Sequence, residues 1–134
     1  MNESQLQSQC VVYFSQNQLP GILWATGNRS LSMKDGISQK SRGLKRGIPD
    51  LFLFRNWKLI GIELKLKGSV HNKQHIEEQY NIGLELIKNG GEYYMLTSLD
   101  SFISLVQFRN VIDGCLTICD IAKLLETSKK TITF

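Results

Sequence analysis

The stretch Gly47-Ile48-Pro49-Asp50-Leu51-Phe52-Leu53-Phe54, followed after Arg55-Asn56-Trp57 by Lys58-Leu59-Ile60-Gly61-Ile62-Glu63-Leu64-Lys65-Leu66, decides how this chain is read. Both halves are apolar runs of strand-forming residues, and the short polar link between them suits a hairpin. Side chains alternate along a strand. In the second run Ile60, Ile62, Leu64 and Leu66 point one way, and Gly61, Glu63, Lys65 and Lys67 the other. Glu63 and Lys65 therefore share a face. Asp50 opens the neighbouring strand directly after a Gly-x-Pro turn, and an in-register hairpin brings it close to Glu63. Two carboxylates at that spacing repel unless a cation lies between them. Mg²⁺ suits such a pair, because it takes hard oxygen ligands and keeps exchangeable waters. A lysine beside the ion can orient an attacking water or stabilise charge growing on a phosphate. Taken singly, Glu-x-Lys is most often a surface ion pair and Pro-Asp a turn. The combination points to phosphodiester hydrolysis.

The flanking sequence supplies the frame for a hairpin. Upstream, about Glu3 to Asn17 reads as a helix, with Leu6, Cys10, Tyr13 and Phe14 forming one apolar stripe. Asn2 and Gln5 have capping-box spacing. Pro20-Gly21 ends that helix, and Ile22 to Thr26 is a short strand. Gly27 to Gly47 reads as a long loop rich in Gly, Ser, Asn and Lys, a length that is usually functional or mobile. Downstream, Asn72 to Asn89 is a helix with Ile76, Tyr80, Leu84 and Ile87 on one side, stopped by Gly90-Gly91. Glu92 to Thr97 is a strand. Ser98 caps a helix that carries Phe102, Leu105 and Val106, and a last helix runs from about Ile118 to Glu126, with Thr117 and Asp120 as its capping box. With no repeat and no linker, this order predicts a single α/β sandwich around a central mixed sheet.

Bulk properties agree with one domain and narrow its partners. A chain of 134 residues, 42% hydrophobic and 21% charged, can bury a core without staples. Its net charge of +4 permits a polyanionic partner. Lys34, Lys40, Arg42, Lys45 and Arg46 cluster in the long loop with Asp35 as the only acid; alone, this reads as a solvated loop. Cys10, Cys115 and Cys119 have no framework spacing and read as reduced thiols. Cys115 and Cys119 are placed to share a helix face, yet they lack the further ligands of a zinc site. His71 and His75 also lack a third ligand, and they read as surface or phosphate-side residues. No apolar run reaches the length of a membrane span, and the polar start MNESQLQSQ lacks a signal-peptide pattern, so an intracellular, cytoplasmic protein without a membrane is expected. Trp24, Trp57, Tyr93 and Tyr94 read as core or rim aromatics.

The set Lys45-Arg46-Gly47-Ile48-Pro49-Asp50-Leu51-Phe52-Leu53, then Gly61-Ile62-Glu63-Leu64-Lys65, then a helical Gln, resembles the VRR-Nuc family, the virus-type replication and repair nucleases of the PD-(D/E)xK superfamily. The resemblance covers roughly residues 3 to 107. It implies a restriction-endonuclease-like core of order αβββαβ over residues 1–107, with 108–134 as a helical extension packed on it. It implies Mg²⁺ or Mn²⁺ held by Asp50, Glu63 and the main-chain carbonyl of Leu64, with Lys65 assisting the water. The family's helical Gln, counted back from Gly90, falls on Gln79, with Gln74 the competing choice. Glu3 matches a family Glu that reaches the site, and it equally suits charge compensation at the helix start. Asn28 resembles a family Asn near the cleft, or a loop Asn making its own turn. Arg42, Lys45, Arg46, Lys67 and Lys73 flank the expected site and are the candidates for DNA-backbone contacts. By analogy with standalone family members, the expected activity is a DNA endonuclease acting on branched substrates such as Holliday junctions, as a homodimer with two sites, in a bacterial or phage-infected cytoplasm.

The rival reading is a DNA-binding or regulatory module without catalysis. It draws on the basic loop and on residues 116–132, where Ile121-Ala122, the following leucines and Ser128-x-x-Thr131 resemble the first two-thirds of a helix-turn-helix. An ordinary packing helix or a dimer contact is the expected role of that tail.

Overall fold

The computed structural model describes residues 1–27, 43, 45–108 and 113–134. Asn28 and Arg42, and the loop lysines Lys34 and Lys40, lie outside the described residues.

The first helix, α1 (Glu3–Gln16), starts where Asn2 and Gln5 form a reciprocal capping box, and it buries Leu6, Cys10 and Phe14 at helical spacing. Three antiparallel strands follow: β1 (Ile22–Ala25), β2 (Leu51–Arg55) and β3 (Lys58–Leu64). Asn56 and Trp57 both take positive φ in the β2–β3 turn, the conformation a tight hairpin demands. The register pairs Leu51 with Ile62 and Phe52 with Gly61, which puts Asp50 one residue beyond the last pair, facing Glu63. A short β4 (Val70–Asn72) leads into α2 (Lys73–Lys88), capped by the Asn72 side chain. Strand β5 (Glu92–Leu96) returns parallel to β3. Then come α3 (Leu99–Ile103), continued by a π-helical turn (Ser104–Phe108), and β6 (Cys115–Leu116), α4 (Ile118–Leu124) and β7 (Thr131–Thr133).

The central sheet is mixed and has the order β1-β2-β3-β5-β6, while β4 and β7 form a separate two-stranded pair. Helices cover both faces. On one side Leu51, Leu53, Ile60, Ile62 and Leu64 pack against Leu6, Cys10, Phe14, Phe102 and Val106. On the other, Tyr93 and Met95 pack with Ile76, Ile121 and Ile132. The two layers follow from strand alternation, because odd and even residues of β3 and β5 serve opposite cores. Glu63 and Lys65 lie on the second side, beneath α2.

Two glycines set how closely α2 approaches the site. A Cβ on Gly83 would stand 2.6 Å from the Tyr93 ring, so only Gly lets the helix sit on that ring. Gly47 takes φ +81°, and a Cβ there would stand 2.6 Å from the Glu78 carbonyl. This residue turns the chain against α2 just before Pro49-Asp50.

Several expectations need correction. Strand β3 ends at Leu64, not Leu66. The segment after residue 112 is not purely helical: it adds β6 to the main sheet and β7 to the small one. Residues Thr131–Thr133, where a helix-turn-helix would begin its recognition helix, form a strand paired with Val70–Asn72. Cys115 lies in β6 and Cys119 in α4, so they share no helix face. Strands of two or three residues carry no periodicity to read, which is why β4, β6 and β7 escape sequence analysis. Among the described residues no helix is long and apolar enough to cross a membrane.

Candidate active site

Asp50, Glu63 and Lys65 converge. The Asp50 Oδ2 accepts a hydrogen bond from the Leu64 main-chain N–H at 2.9 Å. That N–H lies past the end of the β2–β3 ladder, so the carboxylate takes the place of the missing strand partner. Thr26 secures the same turn from the β1 side, its N–H bonding the Asp50 carbonyl at 3.0 Å and its hydroxyl the Pro49 carbonyl at 2.7 Å. Lys65 Nζ stands 3.7 Å from Glu63 Oε1, and the two residues are only 2% and 3% exposed. Main-chain pairing anchors Lys65, whose N–H bonds the Leu96 carbonyl at 2.9 Å.

This burial has electrostatic consequences. Desolvation drives the Glu63 carboxyl well above its ordinary pKa; the Asp50 charge and a hydrogen bond with the Asp50 carboxyl add to the rise, and Lys65 opposes it. A bond between two carboxyl groups needs a proton between them. With both ionised, Glu63 Oε2 is buried without a donor. The pair therefore calls for positive charge beyond that of Lys65, either a proton or a cation. Among the described residues no three of His, Cys, Asp and Glu group closely enough to hold a metal ion. A cation here would rest on the two carboxylates, main-chain oxygen and water, the partial ligand set Mg²⁺ commonly accepts.

Glu3, in the first turn of α1, reaches this neighbourhood. Its carboxylate accepts from the Leu66 N–H and senses both Lys65 and Asp50, and burial raises its pKa. Its Oε2 lies 3.5 Å from His71 Nε2. Glu3 is also the acidic residue of the first turn of α1, so both expectations for it, reaching the site and compensating the helix dipole, are compatible with its position. Of the two places expected for His71, surface or phosphate side, the structure excludes the open surface: the residue is half-buried, bonds the Ser69 hydroxyl at 2.9 Å, and has its pKa lowered to about 4 by burial and by Lys65 and His75.

Helix α2 directs Ile76, Gln79 and Gly83 at the sheet and leaves Gln74 exposed. The Gln79 Nε2 lies 3.2 Å from His75 Nε2, and its Oε1 is buried without a partner. His75 is held toward its neutral form by burial and by Lys65, which places it beside the same charges. The Tyr93 hydroxyl is also buried without a partner; burial, Glu63 and Asp50 raise its pKa well above the usual phenol value. Sequence reading left His75 as a surface or phosphate-side residue and Tyr93 as a core or rim aromatic, because their approach to these charges depends on how α2 is rotated over the sheet.

The basic candidates divide. Lys45, Arg46 and Lys67 are exposed, with Arg46 Nη1 3.9 Å from Glu78 Oε1 on α2. Lys73 is half-buried and donates to the Thr127 carbonyl at 2.7 Å, so it ties α2 to the C-terminal segment. No family model, no curated protein and no solved structure matches this chain.

Proposed function

We propose that this chain is a Mg²⁺- or Mn²⁺-dependent deoxyribonuclease with a restriction-endonuclease-like core, of the VRR-Nuc type within the PD-(D/E)xK nucleases. One observation carries the reading: two carboxylates from adjacent strands and a buried lysine meet at one point, with Oε2 of Glu63 lacking any donor. A structural ion pair needs one acid for one base, whereas this site has an acid to spare. Asp50, Glu63 and the Leu64 carbonyl are the residues that would hold the ion. The ion supplies Lewis acidity toward the phosphate and toward water.

The chain's own groups then divide the work. Lys65 sits where an ammonium can orient the attacking water or offset charge growing on a phosphate oxygen. Its burial strengthens that effect, because little water screens it. Gln79, with Nε2 on His75 and Oε1 free, can accept a hydrogen bond from water or orient the phosphate. Lys45 and Lys67 are exposed and can contact the DNA backbone, and Arg46 can do so by exchanging its Glu78 partner for a phosphate. A homodimer with two such sites suits branched, two-fold symmetric DNA such as a Holliday junction, since one domain carries one site.

A cleavage panel tests this reading: four-way junctions, flaps, splayed arms and plain duplex with Mg²⁺ or EDTA, for wild type, Asp50→Asn, Glu63→Gln and Lys65→Ala. Cleavage should need the divalent ion and fall at least a hundredfold in each variant, while folding and DNA binding persist. Binding without metal-dependent cleavage of any substrate would replace this reading with that of a non-catalytic DNA-binding module.

A further inference from the structure

We propose that the outer face of the β1–β2 ribbon is a stacking platform for unpaired bases of the DNA strand that passes through the site. The inference rests on the nuclease reading and adds where that strand goes next. Strand register pairs Ile22 with Phe54 and Trp24 with Phe52. Alternation puts these four on the same face as Asp50, while Leu51 and Leu53 fill the opposite core. Helix α2 packs over β3 and β5, and the ribbon's aromatics remain open: Trp24 is 41% exposed, Phe54 38%, Ile22 64%, and Trp57 at the turn 93%.

These rings form a row. The Trp24 and Phe52 centroids are 5.6 Å apart at a tilt of 38°, and Phe54 meets Trp57 edge-on at 6.4 Å. A solitary exposed aromatic needs no explanation, but a contiguous row does. Four residues of strand separate Asp50 from Phe54, about 13 Å at the usual rise. That length matches roughly four stacked nucleotides.

Charge identifies the occupant. No Asp or Glu occurs in residues 18–27 or 51–62. Lys58, with its ammonium 3.5 Å from Glu92, stands at the Trp57 end of the row; the exposed Lys45, and Arg46 with its guanidinium 3.9 Å from Glu78, precede Asp50 at the other. A polyanion with flat π faces fits an aromatic row bracketed by cations. A second copy of the chain fits less well. The open area of these side chains is roughly 500 Å², below the roughly 800 Å² per partner that a stable dimer buries.

The test is binding in EDTA, where cleavage plays no part. Fluorescence anisotropy compares a short oligothymidylate with an abasic strand of equal length and charge. Wild type should prefer the strand with bases. Trp57→Ala and Trp24→Ala should each weaken its binding about 5- to 150-fold and leave abasic binding and the salt dependence unchanged. Trp57→Phe should keep most of the affinity. Trp57 is almost fully exposed, so its variant does not challenge folding. Equal affinity of wild type for the two strands, or unchanged binding in both Trp→Ala variants, would overturn the platform. So would a dimer in sedimentation that Trp57→Ala dissociates, since the face would then be covered by a second chain. A protein that discriminates bases as described yet cuts no DNA in Mg²⁺ would uphold the platform while ending the nuclease reading.

Discussion

Replacing Lys65 by methionine isolates the charge balance of the site. Lys65 is the cation paired with Glu63, and at 3.7 Å, buried, the pair attracts by about 4 kcal/mol at an effective dielectric constant of about 20. Without it, Asp50 and Glu63 are left as close like charges. Removing one partner of a buried pair costs about 3–5 kcal/mol, a large share of the 5–15 kcal/mol typical of a domain. At about 4 °C per kcal/mol for a domain of this size, the melting temperature in EDTA should fall by roughly 12–20 °C. Glu63→Gln should act in the other direction. It removes the surplus acid and leaves the Asp50 carboxylate on the Leu64 N–H, so the apoprotein should be stabilised by about 1–3 kcal/mol at pH 7. The pH dependence follows from the raised Glu63 pKa. The folded state binds this proton more tightly than the unfolded chain does, so the favourable contribution is complete below the unfolded value of about 4.5. It is lost as pH rises through the higher folded value. The stability difference between Glu63→Gln and wild type should therefore widen with pH across that window, read by urea unfolding in EDTA. Lys65→Met within 1 kcal/mol of wild type, or Glu63→Gln less stable at pH 7, would refute the surplus-acid argument.

Other consequences are independent of the chemistry. Gly83→Ala should cost about 1–3 kcal/mol by overpacking, because its methyl would meet the Tyr93 ring at 2.6 Å; a Tm equal to wild type in calorimetry would show that α2 sits further from β5. The three thiols should react in sequence with a disulfide reagent, with exposed Cys119 fast and fully buried Cys10, pushed up to about 12, slow until the protein unfolds. His71 should titrate near pH 4 by NMR, since burial and Lys65 disfavour its charged form. Because its folded pKa is depressed, it should destabilise the protein as pH falls from about 6.5 toward 4, and an ordinary titration near 6.5 would place it in water.

How much of this was legible beforehand varies by element. The helix caps at Asn2, Ser98 and Thr117 are local hydrogen-bond patterns, and all three form, the Ser98 cap as a reciprocal box with Ser101 that was not anticipated. The β2–β3 hairpin announces itself through alternation, and the same alternation gives Glu63 and Lys65 a common face before any coordinates exist. Lys73 shows the opposite case. It flanks the site in sequence and was expected on DNA, yet its ammonium is occupied by the Thr127 carbonyl 54 residues away.

By itself, then, the sequence determined periodicity in the longer segments: which of them are helices or strands, and which of their side chains share a face. Those properties arise from bonds and contacts between near neighbours in the chain. Only tertiary packing decided that α2 turns Gln79 inward and leaves Gln74 in water, that Glu3 and His71 approach Lys65, and that the C-terminal segment pairs with β4. Each of these depends on which distant surface covers which face, and that is fixed when separate apolar stripes find one another in the folded core.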